Sequence, residues 1–154
     1  MGIDLIEKMP MQDRYFIDTN LLIYYVSDDA SRKAVVRDLL FDNENIIISS
    51  QVITEFVATT VKKKILSFED AVKYAKEFME LFDFGFVDSE AILLSFKIAE
   101  QYRYSIWDSL IIAAALESNC TILYTEDMQD GQVIEAKVRI VNPFGSKKYV
   151  ISKP

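Results

Sequence analysis

The chain is predicted to fold as an α/β protein, with a mainly parallel central sheet between two layers of helices. Short apolar segments alternate with longer segments in which apolar residues recur at helical spacing, the pattern of strands followed by crossover helices. Only four Gly and three Pro occur in 154 residues, and no Gly-, Ser- or Pro-rich linker interrupts the pattern. We therefore expect a single domain over residues 1–154, with a patterned core at about 14–144, an N-terminal extension at 1–13 and a C-terminal tail at 146–154.

The first elements follow from apolar runs and the polar residues between them. Tyr15 to Asp18 is predicted to be a buried strand, and Asn20 to Val26 a short helix. A second helix is expected from Ser31 to Phe41 with Ser31 as its N-cap, because serine accepts hydrogen bonds from free helical N–H groups. Ile46 to Ser49 is the second predicted strand.

Two amphipathic helices are expected next. The first runs from Ser50 to about Lys64, and Glu55 lies at the edge of its apolar stripe. The second begins after Ser67, its predicted N-cap, in the segment SFEDAVKYAKEFMELF. The stripe of the first helix consists of Val52, Phe56, Val57 and Thr60; the face of the second, predicted to be core or an interface, consists of Phe68, Ala71, Val72, Ala75, Phe78, Met79 and Phe82.

The last third of the chain repeats the alternation. A short strand is expected around Phe84 to Val87, followed by a helix from Ser89 to about Tyr102. The segment IWDSLIIAAALES is apolar on almost every side, which predicts a buried helix. Thr121 to Tyr124 and Lys137 to Val141 are the remaining strand candidates.

The absence of histidine and the single cysteine exclude several kinds of site. Without histidine, the chain has no Ser-His-Asp triad, no histidine-based nuclease centre and no His-ligated metal. Cys120 alone cannot form an internal disulfide or a multi-cysteine zinc site, and its apolar surroundings favour a buried side chain. Any hydrolytic chemistry must therefore use carboxylates.

Charge and hydropathy indicate where the protein acts. A net charge of −7 argues against a general polyanion-binding surface, so a bound nucleic acid requires local neutralisation. The small basic groups at 32–37, 62–64 and 147–148 are individually typical of solvated faces. No apolar stretch approaches the roughly 20 residues that span a bilayer, and residues 1–13 do not resemble a signal peptide. We expect a cytoplasmic protein without a membrane role.

Four acids from distant segments are expected at one edge of the sheet. Asp18 ends the first strand and Asp127 follows a later one, while Glu55 and Asp108 lie in the first turns of helices that begin at that edge. Clustered carboxylates oppose one another's ionisation unless protons or a cation lie among them. Oxygen ligands suit Mg²⁺ or Mn²⁺, which neutralise a phosphodiester and activate water.

Each acid also has a purely structural explanation. Asp18 could cap the following helix, Glu55 could be a surface charge, Asp108 could favour the helix dipole, and Asp127 could be a turn residue. The metal-site hypothesis therefore depends on the four acids as a set.

Hydroxyl and amide side chains near the acids are candidates for orienting them. Helix capping explains Ser49 and Asn20 equally well. The candidates are Thr19, Asn20, Ser49, Ser109 and Thr125.

The segments FIDTN, SSQVITEF, IWDSLIIAAA and LYTED together resemble the PIN-domain family, in particular the toxin nucleases of bacterial type II toxin-antitoxin pairs. The resemblance spans Arg14 to about Phe144. It implies a three-layer α/β/α fold and an endoribonuclease that uses Mg²⁺ or Mn²⁺ to cut single-stranded or structured RNA. It also implies a homodimer held by helices, and an antitoxin whose C-terminal segment covers the active-site groove.

The same resemblance assigns residues to the site. Asp18, Glu55 and Asp108 match the first three family acids, and the fourth falls on Asp127. In the turn TEDMQDG, Glu126 and Asp130 compete for that fourth position, and Asp130 is otherwise a supporting residue. Thr19, Asn20 and Thr125 match positions that assist by hydrogen bonding.

Other functions remain open or are disfavoured. A phosphoryl-accepting receiver or a haloacid-dehalogenase-like phosphatase needs acids that this chain lacks, since Asn20 stands where the phosphatases have a second aspartate. A structure-specific DNA nuclease stays open because carboxylate chemistry does not distinguish the sugar. A non-catalytic PIN-like binding module is the alternative outside enzymology.

Overall fold

A computed structural model of the protein describes residues 12–145, which form six strands and six helices. Apart from Gln12 and Asp13, the predicted extension at 1–13 and the tail at 146–154 lie outside the described residues, and the single domain over 1–154 stays a prediction. The elements in chain order are β1 (Tyr15–Ile17), α1 (Thr19–Val26), α2 (Ala30–Asp42), β2 (Ile46–Ser49), α3 (Ser50–Lys62), α4 (Phe68–Leu81), β3 (Asp83–Gly85), α5 (Ser89–Tyr102), α6 (Ile106–Glu117), β4 (Ile122–Tyr124), β5 (Val133–Ile134) and β6 (Val138–Val141).

The six strands form one sheet in the order β3-β2-β1-β4-β6-β5, parallel throughout except for the antiparallel β5-β6 pair. The chain builds β1, β2 and β3 in one direction and then returns to place β4 on the other side of β1. The connections from β1 to β3 run in one direction along the sheet, and the connection from β3 to β4 runs in the other. Because crossovers between parallel strands are right-handed, α1 to α4 lie on one face and α5 with α6 on the other. The predicted three-layer α/β/α fold is therefore confirmed, with a topological switch point between β1 and β4.

The core lies on both faces of the sheet, as expected of parallel strands covered by helices. All four residues of β2 are buried, and Phe16 of β1 and Leu123 of β4 are completely inaccessible. On α3, Val52, Phe56 and Thr60 are buried as predicted, whereas Val57 is partly exposed. The rigid part of the fold therefore surrounds the strands whose ends form the switch point.

The structure corrects the N-terminus of α2. Asp29 is the N-cap, since its Oδ1 accepts a hydrogen bond from the backbone N–H of Arg32 at 3.1 Å. Ser31 is not the predicted cap; its hydroxyl lies in the first turn and donates to the same Asp29 oxygen at 3.2 Å. A carboxylate oxygen can accept more than one hydrogen bond, and Oδ1 of Asp29 satisfies both donors.

Two strands also differ from the prediction. β3 ends at Gly85, and Val87 lies beyond it, with its N–H bonded to the Ser50 hydroxyl at 3.1 Å. The two-residue β5 was not predicted, because so short a segment has no detectable period.

The amphipathic face of α4 divides between core and surface. Ala71, Ala75 and Phe78 are buried, while Phe68 and Met79 are exposed. Since core or interface were the two predicted alternatives, the exposed residues are available for contact with another chain.

Helix α6 is buried only beyond its first turn. Residues 111–115 lie in the core, but Ile106 and Trp107 are exposed. The prediction of a wholly buried helix was wrong at this end. Within residues 12–145, none of the helices is long and apolar enough to cross a bilayer.

Candidate active site

An open cleft of about 240 Å³ lies at the switch point between β1 and β4. The four acids predicted to converge, from β1, α3, α6 and the turn after β4, all line it. The complete lining consists of Asp18, Thr19, Asn20, Ile23, Gln51, Glu55, Thr59, Lys63, Trp107, Asp108, Ile111 and Asp127.

Asp18 is the most buried of the four acids, with 5% of its surface exposed. Its backbone N–H continues the β1–β4 pairing by donating to the carbonyl of Tyr124 at 3.1 Å. Its Oδ1 accepts from the N–H of Thr19 at 2.7 Å, and its Oδ2 accepts from the Thr125 hydroxyl at 2.8 Å. Asp18 is therefore the N-cap of α1, the structural alternative that its sequence position allowed, and Asn20 lies within the helix.

The electrostatic state of Asp18 follows from this burial. Its pKa is raised from 3.8 to about 7, mainly by loss of hydration and to a smaller extent by the nearby charges of Asp127 and Asp108. The hydrogen bonds from Thr125 and Thr19 oppose that shift. A carboxyl group in this state holds a proton near neutral pH unless a cation takes the proton's place.

Thr125 and Asn20 connect Asp18 to Asp127. Because the Thr125 hydroxyl donates its single proton to Asp18, it serves as an acceptor for the Asp127 N–H at 3.1 Å. The side-chain amide of Asn20 donates to Asp127 Oδ2 at 2.8 Å and to the Thr125 hydroxyl at 3.3 Å. The two side chains thus orient both carboxylates, as the sequence predicted for residues near the acids.

Glu55 is held at both carboxylate oxygens. The Thr19 hydroxyl donates to Oε2 at 3.0 Å, and the Gln51 amide donates to Oε1 at 2.9 Å. The Gln51 amide also approaches the backbone carbonyl of Trp107 at 3.4 Å, which links α3 to the first turn of α6. Glu55 is therefore a positioned side chain and not a freely moving surface charge.

Asp108 lies half-buried in the first turn of α6, where the Ser105 hydroxyl accepts a hydrogen bond from its backbone N–H at 3.1 Å. Burial raises the pKa of the Asp108 carboxyl, and the charges of Asp127 and Glu55 add to the rise while the hydrogen bond with Ser105 opposes it. A helix N-terminus does favour an acid. The repulsion from two other cleft carboxylates nevertheless shows that Asp108 belongs to the same electrostatic cluster.

The geometry favours Asp127 over its two competitors for the fourth position. Glu126 turns away from the cleft, with Oε2 lying 3.5 Å from Nε of Arg32. Asp130 accepts a hydrogen bond from the N–H of Asn142 at 2.9 Å and does not line the cleft. Asp130 therefore bonds to the chain segment that follows β6 and lies outside the cleft lining, away from the position of the supporting role predicted for it.

Three other predicted supporting residues also lie outside the cleft lining: Thr125, which bonds to Asp18 from beneath the cleft surface, and two serines. The Ser49 hydroxyl caps α3 by accepting from the N–H of Val52 at 3.3 Å, which is the alternative that its sequence position allowed. Ser109 is completely buried within α6, and within residues 12–145 its hydroxyl has no hydrogen-bond partner. In the part of the chain that the structure describes, neither serine is hydrogen-bonded to one of the cleft acids.

The cleft contains polar residues that sequence reasoning missed. Gln51, Glu55, Thr59 and Lys63 are spaced four residues apart, so that they form one stripe along α3 and its C-cap. Extending the helical spacing from Glu55 in both directions would have found the other three. Trp107 belongs to the segment predicted to be a buried helix, and nothing in the sequence distinguishes an exposed tryptophan from a buried one.

The donor set of the cleft fits a hard divalent cation. All four acids offer carboxylate oxygens, and a cation would relieve the burial cost that raises the Asp18 pKa. Among the described residues, three acids with oxygens all within 4.8 Å of one another occur outside the cleft, at exposed Asp88, Glu90 and Glu117. The cleft acids are spaced more widely, which suits Mg²⁺ because this ion keeps several of its waters.

The fold and the cleft define the class of protein: an α/β protein with an acidic cleft at the switch point of a mainly parallel sheet. The sequence model of the PIN domain matches residues 15–129, a span that contains all four cleft acids. The chain therefore belongs to the PIN-domain family, and the resemblance found in its motifs is confirmed.

Solved structures with the same fold include toxins and toxin-antitoxin complexes. The VapC20 toxin of Mycobacterium tuberculosis, described as cleaving the sarcin-ricin loop, aligns with a TM-score of 0.61 and 13% identity over 73% of this chain and 91% of its own. A toxin-antitoxin complex from Klebsiella pneumoniae aligns with a TM-score of 0.64 and 19% identity over 84% and 98%. FitAcB from Neisseria gonorrhoeae aligns with a TM-score of 0.62 and 18% identity over 86% and 99%. No curated protein matches the chain by sequence.

Proposed function

We propose that the chain is a divalent-metal-dependent endoribonuclease and the toxin of a toxin-antitoxin pair. The observation that carries this proposal is the buried carboxylate of Asp18 at the switch point, in a cleft that it shares with three further acids. The similarity to the fold of a toxin described as cleaving the sarcin-ricin loop supports the same function. A ribonuclease of this kind would act in the cytoplasm, where its substrates are.

Asp18, Glu55, Asp108 and Asp127 would hold the ion, Mg²⁺ or Mn²⁺. When bound, such an ion supplies charge neutralisation at the scissile phosphate and a water of lowered pKa. The chain itself fixes the ligands: Thr125 and Thr19 hold two of the acids through their hydroxyl groups. These hydrogen bonds come from the chain's own side chains, so the chain itself positions the two acids.

A cognate antitoxin and a second copy of the chain are the proposed partners. Similarity to toxin-antitoxin complexes supports the antitoxin. Exposed apolar side chains on α4 and α5 support a homodimer held by helices, because monomeric proteins seldom expose so many. They are Phe68, Met79, Leu81, Ile92, Leu93 and Phe96.

The decisive experiment incubates the protein with single-stranded and structured RNAs, and with DNA of the same sequences, in Mg²⁺, Mn²⁺ or EDTA, and then maps the product ends. We expect RNA cleavage that EDTA stops. Asp18→Asn and Asp108→Asn should abolish it, whereas Glu90→Gln, which removes a surface carboxylate outside the cleft, should not.

The other outcomes separate the alternatives. Cleavage of DNA in preference to RNA would indicate a structure-specific DNA nuclease. Absence of metal-dependent cleavage on every substrate would indicate a non-catalytic binding module. Full activity of Asp18→Asn with the metal still required would refute the assignment of the site.

A further inference from the structure

Trp107 is exposed at a place where the fold gives it no burial. It is the single tryptophan of the chain, and 65% of its surface is accessible although residues 111–115 of the same helix lie in the core. Trp107 is one of the residues that line the cleft, next to Asp108. Its backbone is fixed by the start of α6 and by the contact of its carbonyl with Gln51 at 3.4 Å. The cleft therefore has a large aromatic surface on a rigid support beside its acids.

A positive charge also lines the cleft. Lys63 is the C-cap residue of α3, at the far end of the polar stripe that begins at Gln51. Apart from Lys63, the described lining residues carry no basic side chain, and the chain as a whole has a net charge of −7. A polyanion that entered this cleft would therefore find local neutralisation at Lys63, as the overall charge requires.

We propose that Trp107 is the stacking platform for an unpaired base of the nucleic-acid substrate, and that Lys63 neutralises a phosphate of the same strand. This inference rests on the proposed function. It makes Trp107 a substrate-binding residue beside the acids, and it restricts the substrate to single strands or unpaired loops, since a base in a duplex has no free face to offer.

An apolar protein surface fits the cleft around Trp107 less well than a base does. An apolar partner surface seated on Trp107 would remove water from Asp108 and its neighbouring carboxylates, at a large cost in free energy. A nucleotide instead presents an aromatic face to the tryptophan and leaves its charged phosphate for the lysine. The juxtaposition of an aromatic ring and a lysine, beside four acids that could hold a cation, matches the base and the phosphate of a nucleotide.

Fluorescence gives the first test because Trp107 is the chain's only tryptophan. A single-stranded RNA of about twelve nucleotides, a length in the range that one single-strand-binding domain covers, is titrated into the wild-type protein in EDTA, which prevents cleavage. We expect the emission of Trp107 to be quenched as the RNA binds, and a fully paired duplex of the same sequence to quench it weakly or not at all. Single abasic substitutions along the RNA should identify one position whose loss removes the quenching.

Variants give the second test. Stacking on an aromatic side chain contributes enough that Trp107→Ala should weaken binding by roughly 5- to 100-fold, and Trp107→Phe should recover most of the loss. Phe86→Ala is the matched control, since Phe86 is also an exposed aromatic residue, at 81%, but lies outside the cleft lining. Lys63→Ala should reduce the salt dependence of binding by about one phosphate contact, with Lys62→Ala as its control.

Several results would overturn the proposal. One is unchanged Trp107 emission in the presence of bound RNA; another is wild-type RNA affinity in Trp107→Ala. A change of oligomeric state in Trp107→Ala without a change in RNA binding would assign the tryptophan to a protein interface. The proposed function fails separately: quenching by RNA without cleavage would leave the stacking platform in place and remove the nuclease.

Discussion

Replacing Asp18 by Asn should stabilise the metal-free protein while it abolishes activity. The Asp18 carboxyl has its pKa raised from 3.8 to about 7, mainly by burial, so the folded state binds this proton more tightly than the unfolded state does. The stability contributed by the protonated group is complete below about pH 4. This stability is lost as the pH rises through about 7 and the carboxyl ionises. The Asp18→Asn variant does not lose it, because asparagine does not ionise.

The size of the effect follows from the pKa shift. The rise in pKa from 3.8 to about 7 lowers the free energy of unfolding of the wild type by about 4 kcal/mol above pH 7, at about 1.4 kcal/mol per pKa unit. The amide introduced by Asp18→Asn would satisfy the Thr19 N–H with its oxygen and would then meet the Thr125 hydroxyl with its nitrogen, a mismatch of about 1 kcal/mol. We therefore expect a net gain of about 3 kcal/mol at pH 8 and no gain at pH 4.

The assay is urea unfolding followed by far-ultraviolet circular dichroism in EDTA, at intervals from pH 4 to pH 8. Glu80→Gln is the control, because it removes one negative charge from the exposed surface of α4. Parallel pH profiles for wild type and Asp18→Asn, or a variant less stable than wild type at pH 8, would refute the reasoning. Adding Mg²⁺ should stabilise the wild type and leave Asp18→Asn nearly unchanged.

Two further predictions concern other buried groups. Thr125→Val removes the hydroxyl that donates to Asp18 and accepts from the Asp127 N–H, so the free energy of unfolding should fall by roughly 1 to 3 kcal/mol. The pH profile of cleavage should also move to higher pH, because a hydrogen bond that lowers the Asp18 pKa is lost. An unchanged profile would contradict this. Burial raises the pKa of the Cys120 thiol to about 12. Iodoacetamide at pH 8, followed by mass spectrometry, should therefore label Cys120 only when the protein unfolds. Rapid labelling of the native protein would contradict the structure.

The sequence could predict the sheet and most helices because their signals are local. The apolar run of β2 and the spacing of Val52 and Phe56 on α3 specify buried elements without knowledge of the rest of the chain. The cap of α2 could not be predicted as securely, because Asp29 and Ser31 are both good N-cap residues, and the choice depends on which side chain reaches the free N–H groups.

The site was only partly predictable for a different reason. The four acids share one sheet edge by topology, which a pattern of alternating strands and helices implies. Which of Glu126, Asp127 and Asp130 enters the cleft depends on the turn geometry after β4, and there Arg32 and Asn142 hold the two that do not. Neither partner is near that turn in sequence, so local patterns carry no information about the choice.

The functions of Asp18 as helix cap and as candidate metal ligand are compatible, and the sheet register explains why. Parallel pairing of Ile17 with Tyr124 places residues 18 and 125 side by side, although 107 positions separate them in the chain. Thr19 uses one oxygen of the carboxylate and Thr125 the other, and each oxygen keeps a lone pair for a cation in the cleft. Capping by a hydroxyl would satisfy α1 equally well, so the helix alone does not require a buried charge. The buried charge of Asp18 destabilises the metal-free fold, and for this reason we expect stability to rise and activity to fall when this residue is replaced.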